Sequence, residues 1–228
     1  MPVPIKAVLF DLDGTFADTA PDMANALNVI RHRHGLPALP LPTIRGHVSH
    51  GARGMLDVGF GIDPQHETFA ALRDAFYAEY ARNICVHTTL FEGVDSLVTA
   101  LEKHEIAWGI VTNKAARFAL PILQVLGMAE RGACVVCGDT TAHTKPHPAS
   151  LLHAADLIGM APRHTLYVGD DERDIQAAHA AGMRGVVAAY GYLGPASDPR
   201  RWAAEFSINT PSALLPLIRD ERVRHCSE

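Results

Sequence analysis

The chain has 228 residues, 48% hydrophobic and 20% charged, a globular composition sufficient for one large domain or a core domain with a smaller one inserted. A formal net charge of -5 excludes the basic footprint of a nucleic-acid or acidic-membrane binder. No apolar run of about 18 residues is present to span a membrane, and residues 1–6 lack a signal-peptide pattern, so a cytoplasmic enzyme is the expected class.

The first element is a four-residue apolar run, Ala7, Val8, Leu9 and Phe10, which predicts a strand buried on both faces, as in a parallel sheet. It runs directly into Asp11, Asp13, Gly14 and Thr15. Two carboxylates at the end of a core strand are costly unless a cation or hydrogen bonds compensate. Gly14 allows the chain to turn so that they stand at the mouth of the sheet.

Asp18 or Thr19 then predicts a helix cap with Pro21 in the first turn, and Gly35 closes that helix. Helical patterns resume over 43–60 and 65–84, with glycines and Pro64 between them. No core strand is expected between 18 and 85, which reads as a helical block of small-domain size.

From about residue 90 strands and helices alternate. Helices are expected over 94–104, 115–126, 148–158 and 172–181, and strands over 107–111, 134–137, 165–168 and 185–189, the pattern of βαβ units in a parallel sheet. The polar tail, 220–228, is expected to fray. Cys134 and Cys137 form a C-x-x-C, but residues three apart on a strand face opposite ways, so they read as core cysteines rather than a redox or zinc pair. The 13 histidines are scattered, without the grouping of a dedicated metal site.

Ligands of an open parallel α/β sheet bind beyond the carboxyl ends of its strands. Those ends carry Asp11 and Asp13, then Thr112 and Asn113, then Asp170 and Asp171, with Lys145 in the loop after another strand. Singly these are turn residues, helix caps or surface charges. Gathered at one end of one sheet, they offer hard oxygen ligands suited to Mg²⁺, a carboxylate nucleophile, a second acid, and a hydroxyl and ammonium for a phosphate dianion.

Asp11-Leu12-Asp13-Gly14-Thr15, Thr112, Lys145-Pro146 and Gly169-Asp170-Asp171-x-x-Asp174 resemble, in order, the four motifs of the haloacid-dehalogenase superfamily. The resemblance implies an α/β fold, a Rossmann-like parallel-sheet core (1–17 and 86–228) with an inserted helical cap domain (18–85). It implies a Mg²⁺-dependent phosphomonoesterase working through an aspartyl-phosphate. Asp11 would be the nucleophile and a metal ligand, and Asp13 the acid/base with its backbone carbonyl on the metal. Asp170 would be the direct carboxylate ligand. Thr112 and the Asn113 amide would hold phosphoryl oxygens, and Lys145 would neutralise nucleophile and phosphate. Asp174 would act through water or from behind the ligands, and Asp171 as a metal partner or only a helix cap.

Within the superfamily, Asp18-Thr19-Ala20-Pro21-Asp22, the stretch from Gly46 to Arg53, and Tyr190-Gly191-Tyr192 are similar to the phosphoglycolate-phosphatase group. That implies a small phosphorylated metabolite as partner, 2-phosphoglycolate first and N-acetylmuramic acid 6-phosphate as the alternative, with a monomer or homodimer expected. Ser49, His50 and Arg53 are the expected substrate contacts of the cap, with Arg45 and His47 next. A β-phosphoglucomutase-like mutase and a phospho-accepting signalling domain are the other readings. The G-x-G-x-x-G and Walker fingerprints of nucleotide enzymes are absent.

Overall fold

The computed structural model describes residues 4–194 and 197–223. Strand β1 (Ala7–Phe10) is buried along its whole length and lies inside a six-stranded sheet. Its neighbours are β4 (Ala107–Val111) on one side and β6 (Thr165–Gly169) on the other. Beyond them lie β5 (Cys134–Val136) and, at the far edge, β7 (Arg184–Ala188) and β8 (Phe206–Ile208), giving the order β5-β4-β1-β6-β7-β8. Every pairing is parallel, so all six carboxyl ends open on one side.

The period of two along each strand divides the core into two layers. Val8, Phe10, Trp108 and Ile110 pack on one face with α5 (Val94–Lys103), α6 (Ala116–Val125) and α9 (Leu214–Val223). Leu9, Val111 and Tyr167 pack on the other with α7 (Ala149–Leu157) and α8 (Glu172–Ala180). Cys137 belongs to the first layer and Cys134 to the second, and both are free thiols, as their spacing requires. Burial pushes each up to about 11, which keeps them protonated and inert.

The helical block leaves and rejoins the core through a two-stranded ribbon, β2 (Ala17–Asp18) antiparallel to β3 (Thr89–Leu90). Between these strands lie α1 (Ala20–Arg33), α2 (Leu41–Arg45), α3 (Gly51–Phe60) and α4 (Phe69–Arg82). Met23, Leu27, Met55, Leu56, Phe76 and Tyr80 form its own apolar centre, which continues onto Phe118 and Ile122 of α6. The block therefore packs over the carboxyl end of the sheet instead of beside it.

Two local expectations are corrected. The 43–60 pattern is not one helix: α2 ends at Arg45, a 3₁₀ turn covers Val48–His50, and α3 starts at Gly51, where φ is +57°. Thr19 stands at the N-cap of α1 but its side chain makes no cap bond; a carboxylate of the site holds it instead. Strand β8 and helix α9, which short apolar runs did not announce, close the core. The tail expected to fray is helical through Val223, and residues 224–228 lie outside the described residues.

Candidate active site

The acids meet because β1 and β6 are adjacent and parallel and both end at the same level. After Phe10 the chain turns at Gly14, with φ +84°, and a Cβ built there would lie 2.3 Å from Asp170 Oδ2. Gly169 is equally constrained, since its Cβ would stand 2.2 Å from Asp174 Oδ2. These two glycines bring three buried carboxylates together: one oxygen each of Asp11, Asp170 and Asp174 lies within 4.8 Å of the others.

One cation answers them. Lys145 Nζ is 2.9 Å from Asp11 Oδ1 and 2.7 Å from Asp174 Oδ1, and also donates to Tyr167 Oη at 2.6 Å and the Val111 carbonyl at 3.2 Å. Burial disfavours the ammonium, but the Asp11 and Asp174 carboxylates outweigh it and hold its pKa above the ordinary value. Among the described residues Asp170 accepts from neutral donors alone: the Thr15 hydroxyl at 3.0 Å, the Tyr192 amide at 3.0 Å and the Ser49 hydroxyl at 3.2 Å. Burial, with Asp11 and Asp174 close by, pushes its pKa well above the carboxylate range. Asp174 is raised to about 6 by burial against the opposing pull of Lys145. Three carboxylates sharing one ammonium form a set of hard oxygens that a divalent cation would neutralise.

Asp11 Oδ1 also accepts the Leu12 amide at 2.8 Å, while Oδ2 accepts from none of the described residues. The Asp13 carboxylate turns elsewhere, accepting from the Thr19 hydroxyl and, at 2.8 Å, from the buried ammonium of Lys114. Thr112 accepts the Lys114 amide at 3.2 Å, and its own proton has no acceptor among the described residues. The Asn113 side chain clamps the backbone of Lys145 at two points, donating to its carbonyl and accepting its amide, each at 2.9 Å. That clamp, between the end of β4 and the loop after β5, delivers Lys145 to the acids.

Asp171 caps α8: it accepts the Arg173 amide at 3.0 Å, and Asp174 in turn accepts the Asp171 amide at 3.0 Å. The same carboxylate grips the Arg173 guanidinium, which donates at 2.9 Å to the carbonyl of Ser49. With His50 3.7 Å from Asp171 and the Ser49 hydroxyl on Asp170, the helical block rests directly on the strand-end acids. Burial and Arg173 hold His50 below its ordinary pKa.

A cavity of about 380 Å³ lies between block and sheet. Asp11, Asp13, Thr112, Asn113, Lys145 and Asp174 line its floor, and Ser49, His50 and Arg53 its roof. Arg45 and His47 do not line it. Arg45 is committed to Asp18 in a two-point pair at 3.0 and 2.9 Å, and His47 faces a separate surface hollow. Sequence reasoning missed Lys114, read Thr19 only as a helix cap and Tyr192 only as a mark of the group, whereas Tyr192 accepts the Thr19 and Ala20 amides and donates to Asp18. Lys114 follows β4 by three residues, where a charge reads equally well as solvated surface.

The family model for haloacid dehalogenase-like hydrolases matches residues 8–188. The chain belongs to this family. It is 42% identical over 214 residues to an N-acetylmuramic acid 6-phosphate phosphatase of Pseudomonas putida, with 94% of this chain and 96% of that protein covered. It is 44% identical over 214 residues to a phosphoglycolate phosphatase of Xanthomonas campestris pv. campestris, with 92% and 94% covered. Among solved structures, a predicted phosphoglycolate phosphatase from Haemophilus somnus superposes with a TM-score of 0.82 at 25% identity, covering 93% of this chain and 97% of that one. The haloacid dehalogenase-like fold, a parallel six-stranded sheet with an inserted helical cap, is thus the one the motifs implied.

Proposed function

We propose that this chain is a phosphatase that hydrolyses a carboxylated phosphate monoester through an aspartyl-phosphate on Asp11. The observation that carries this reading is the arrangement of the first-strand acids: Asp11 keeps one oxygen free beside Lys145, while Asp13, two residues on, is held apart by Lys114 and Thr19. In the first step Asp11 Oδ2 forms a bond to phosphorus as the ester P–O bond breaks, and Asp13 gives its proton to the leaving oxygen. In the second, Asp13 takes a proton from water, whose oxygen attacks phosphorus and releases inorganic phosphate and free Asp11. Thr112 and the Asn113 amide hold the phosphoryl oxygens, with Lys145 offsetting charge beside the nucleophile.

Mg²⁺ fits the Asp11, Asp170 and Asp174 carboxylates, with the Asp13 carbonyl as a further ligand in this reading, and when bound supplies positive charge between an anionic nucleophile and an anionic phosphate. Residues 18–85 act as the cap, with Ser49, His50 and Arg53 presented to the substrate, and 1–17 with 86–228 as the catalytic core. The names of the relatives point to two carboxylated esters, 2-phosphoglycolate and N-acetylmuramic acid 6-phosphate. The cavity favours the second, since about 380 Å³ is the scale of a ring-sized ligand and a two-carbon ester would leave most of it unfilled.

Release of inorganic phosphate from both esters with Mg²⁺ is the test. Wild-type protein should turn over many equivalents, and Asp11→Asn should lose at least about a thousandfold in kcat, as expected when a nucleophile is removed. Near-normal turnover by the variant would overturn the mechanism, and isomer interconversion without net phosphate release would replace hydrolysis by a mutase.

A further inference from the structure

One wall of the cavity is accounted for neither by phosphate chemistry nor by the roof residues. It is a single face of α4, where Phe69, Arg73, Phe76, Tyr77 and Tyr80 recur at helical spacing, opposed by Arg117 and Phe118 at the start of α6. Two side chains on it are out of keeping with plain packing. Tyr80 is 1% exposed, and its hydroxyl makes no well-aligned hydrogen bond, the Lys114 ammonium being the polar group beside it. Burial pushes the group up to about 12, so at neutral pH it is an uncharged donor.

The location of that hydroxyl matters. Lys114 Nζ stands 4.9 Å from the centre of the Tyr80 ring and 2.8 Å from Asp13. Arg117 lies farther along the wall, with its guanidinium 4.7 Å from the Phe118 ring and 5.2 Å from that of Tyr77. Lys114, Lys145, Arg73 and Arg173 each face a carboxylate. Arg53 of the roof and Arg117 have none among the described residues, and two aromatic faces hold the planar cation of Arg117 at the cavity edge.

We propose that Tyr80 and Arg117 are specificity-determining residues that read the leaving group: the Tyr80 hydroxyl bonds a polar substituent near the ester oxygen, and Arg117 pairs with a second anionic group farther out. The favoured substrate class is then a phosphomonoester of a hydroxylated ring carrying a carboxylate. This rests on the phosphatase reading above.

The experiment compares three esters with Mg²⁺: N-acetylmuramic acid 6-phosphate, N-acetylglucosamine 6-phosphate, which is the same ring without the carboxylate-bearing arm, and 2-phosphoglycolate. Tyr80→Phe, which removes one oxygen and no packing volume, should lower kcat/KM about tenfold on both sugar esters and less than about threefold on 2-phosphoglycolate. Arg117→Ala should raise KM about thirtyfold for the carboxylated sugar alone, with partial recovery in Arg117→Lys. Equal losses on all three esters would assign these residues a structural role and overturn the proposal, as would no loss on any. Failure of the wild type to release phosphate from all three esters and from p-nitrophenyl phosphate would instead sink the phosphatase reading itself.

Discussion

Lys145 shows how a buried charge is specified by its surroundings. An ammonium has three protons, and four acceptors converge on this one: two carboxylates at 2.7 and 2.9 Å, the Tyr167 hydroxyl at 2.6 Å and the more distant Val111 carbonyl at 3.2 Å. The acceptors surround a point, which suits a compact ammonium and not a planar guanidinium. Lys145→Arg should therefore fail to preserve function, with phosphate release within about threefold of that of Lys145→Ala and both reduced at least about a hundredfold. Substantial activity in the arginine variant would show that charge alone, without the convergent geometry, is what the acids require. The residue was legible in the sequence because a lysine before a proline sits where a strand-end loop must lie. Its partners Tyr167 and Asn113 were not legible in those roles, since a tyrosine inside an apolar strand reads as core and an amide after a strand reads as a cap.

At the scale of elements, the insertion is fastened at its ends by one side chain of α1. Asp22 is 2% exposed and accepts from the amides of Val86, His87 and Thr88 at 2.8–3.0 Å and from the Thr88 hydroxyl at 2.7 Å. The segment returning from α4 to β3 is thereby tied to the first turn of α1, next to the β2–β3 ribbon. Asp22→Ala would leave several donors unpaired, and the expected loss is about 3 kcal/mol in urea unfolding, with KM rising as the block loosens on its hinge. A loss below about 1 kcal/mol would mean that water replaces the carboxylate there. The four strands of the sequence reading that follow residue 90 were legible because each is a short apolar run bounded by turn residues. The break at 46–50 was not, because Val48 continues the apolar spacing across it and only the glycines hint at an interruption. The α4 wall escaped notice for a related reason: Phe69, Phe76, Tyr77 and Tyr80 have the spacing of an ordinary core stripe, and nothing in that spacing distinguishes packing from a cavity lining.

Across the whole molecule, the parallel sheet concentrates negative charge at one end, and the helical block closes over it through Arg173, Ser49 and His50. The balance of this arrangement depends on pH and on metal. Asp174 is raised from 3.8 to about 6, and Asp170 is raised in the same direction, both mainly by burial with neighbouring carboxylates adding to it. A carboxyl whose pKa is raised on folding binds its proton in the folded chain while the unfolded chain has already lost it. Without metal, the contribution of these two groups to stability is therefore greatest where the folded groups are protonated. It declines as pH rises from about 4 through about 6 and beyond. A divalent cation on the same oxygens reverses the repulsion, and it does so most where the acids are fully ionised and protons no longer compete. Thermal unfolding followed by circular dichroism, with and without millimolar Mg²⁺, should show a gain in Tm that is larger at about pH 7.5 than at about pH 5. Asp170→Asn, which removes one of the three charges, should shrink both the gain and its dependence on pH. A gain that is the same at both pH values, or that survives unchanged in the asparagine variant, would place the ion somewhere other than among Asp11, Asp170 and Asp174.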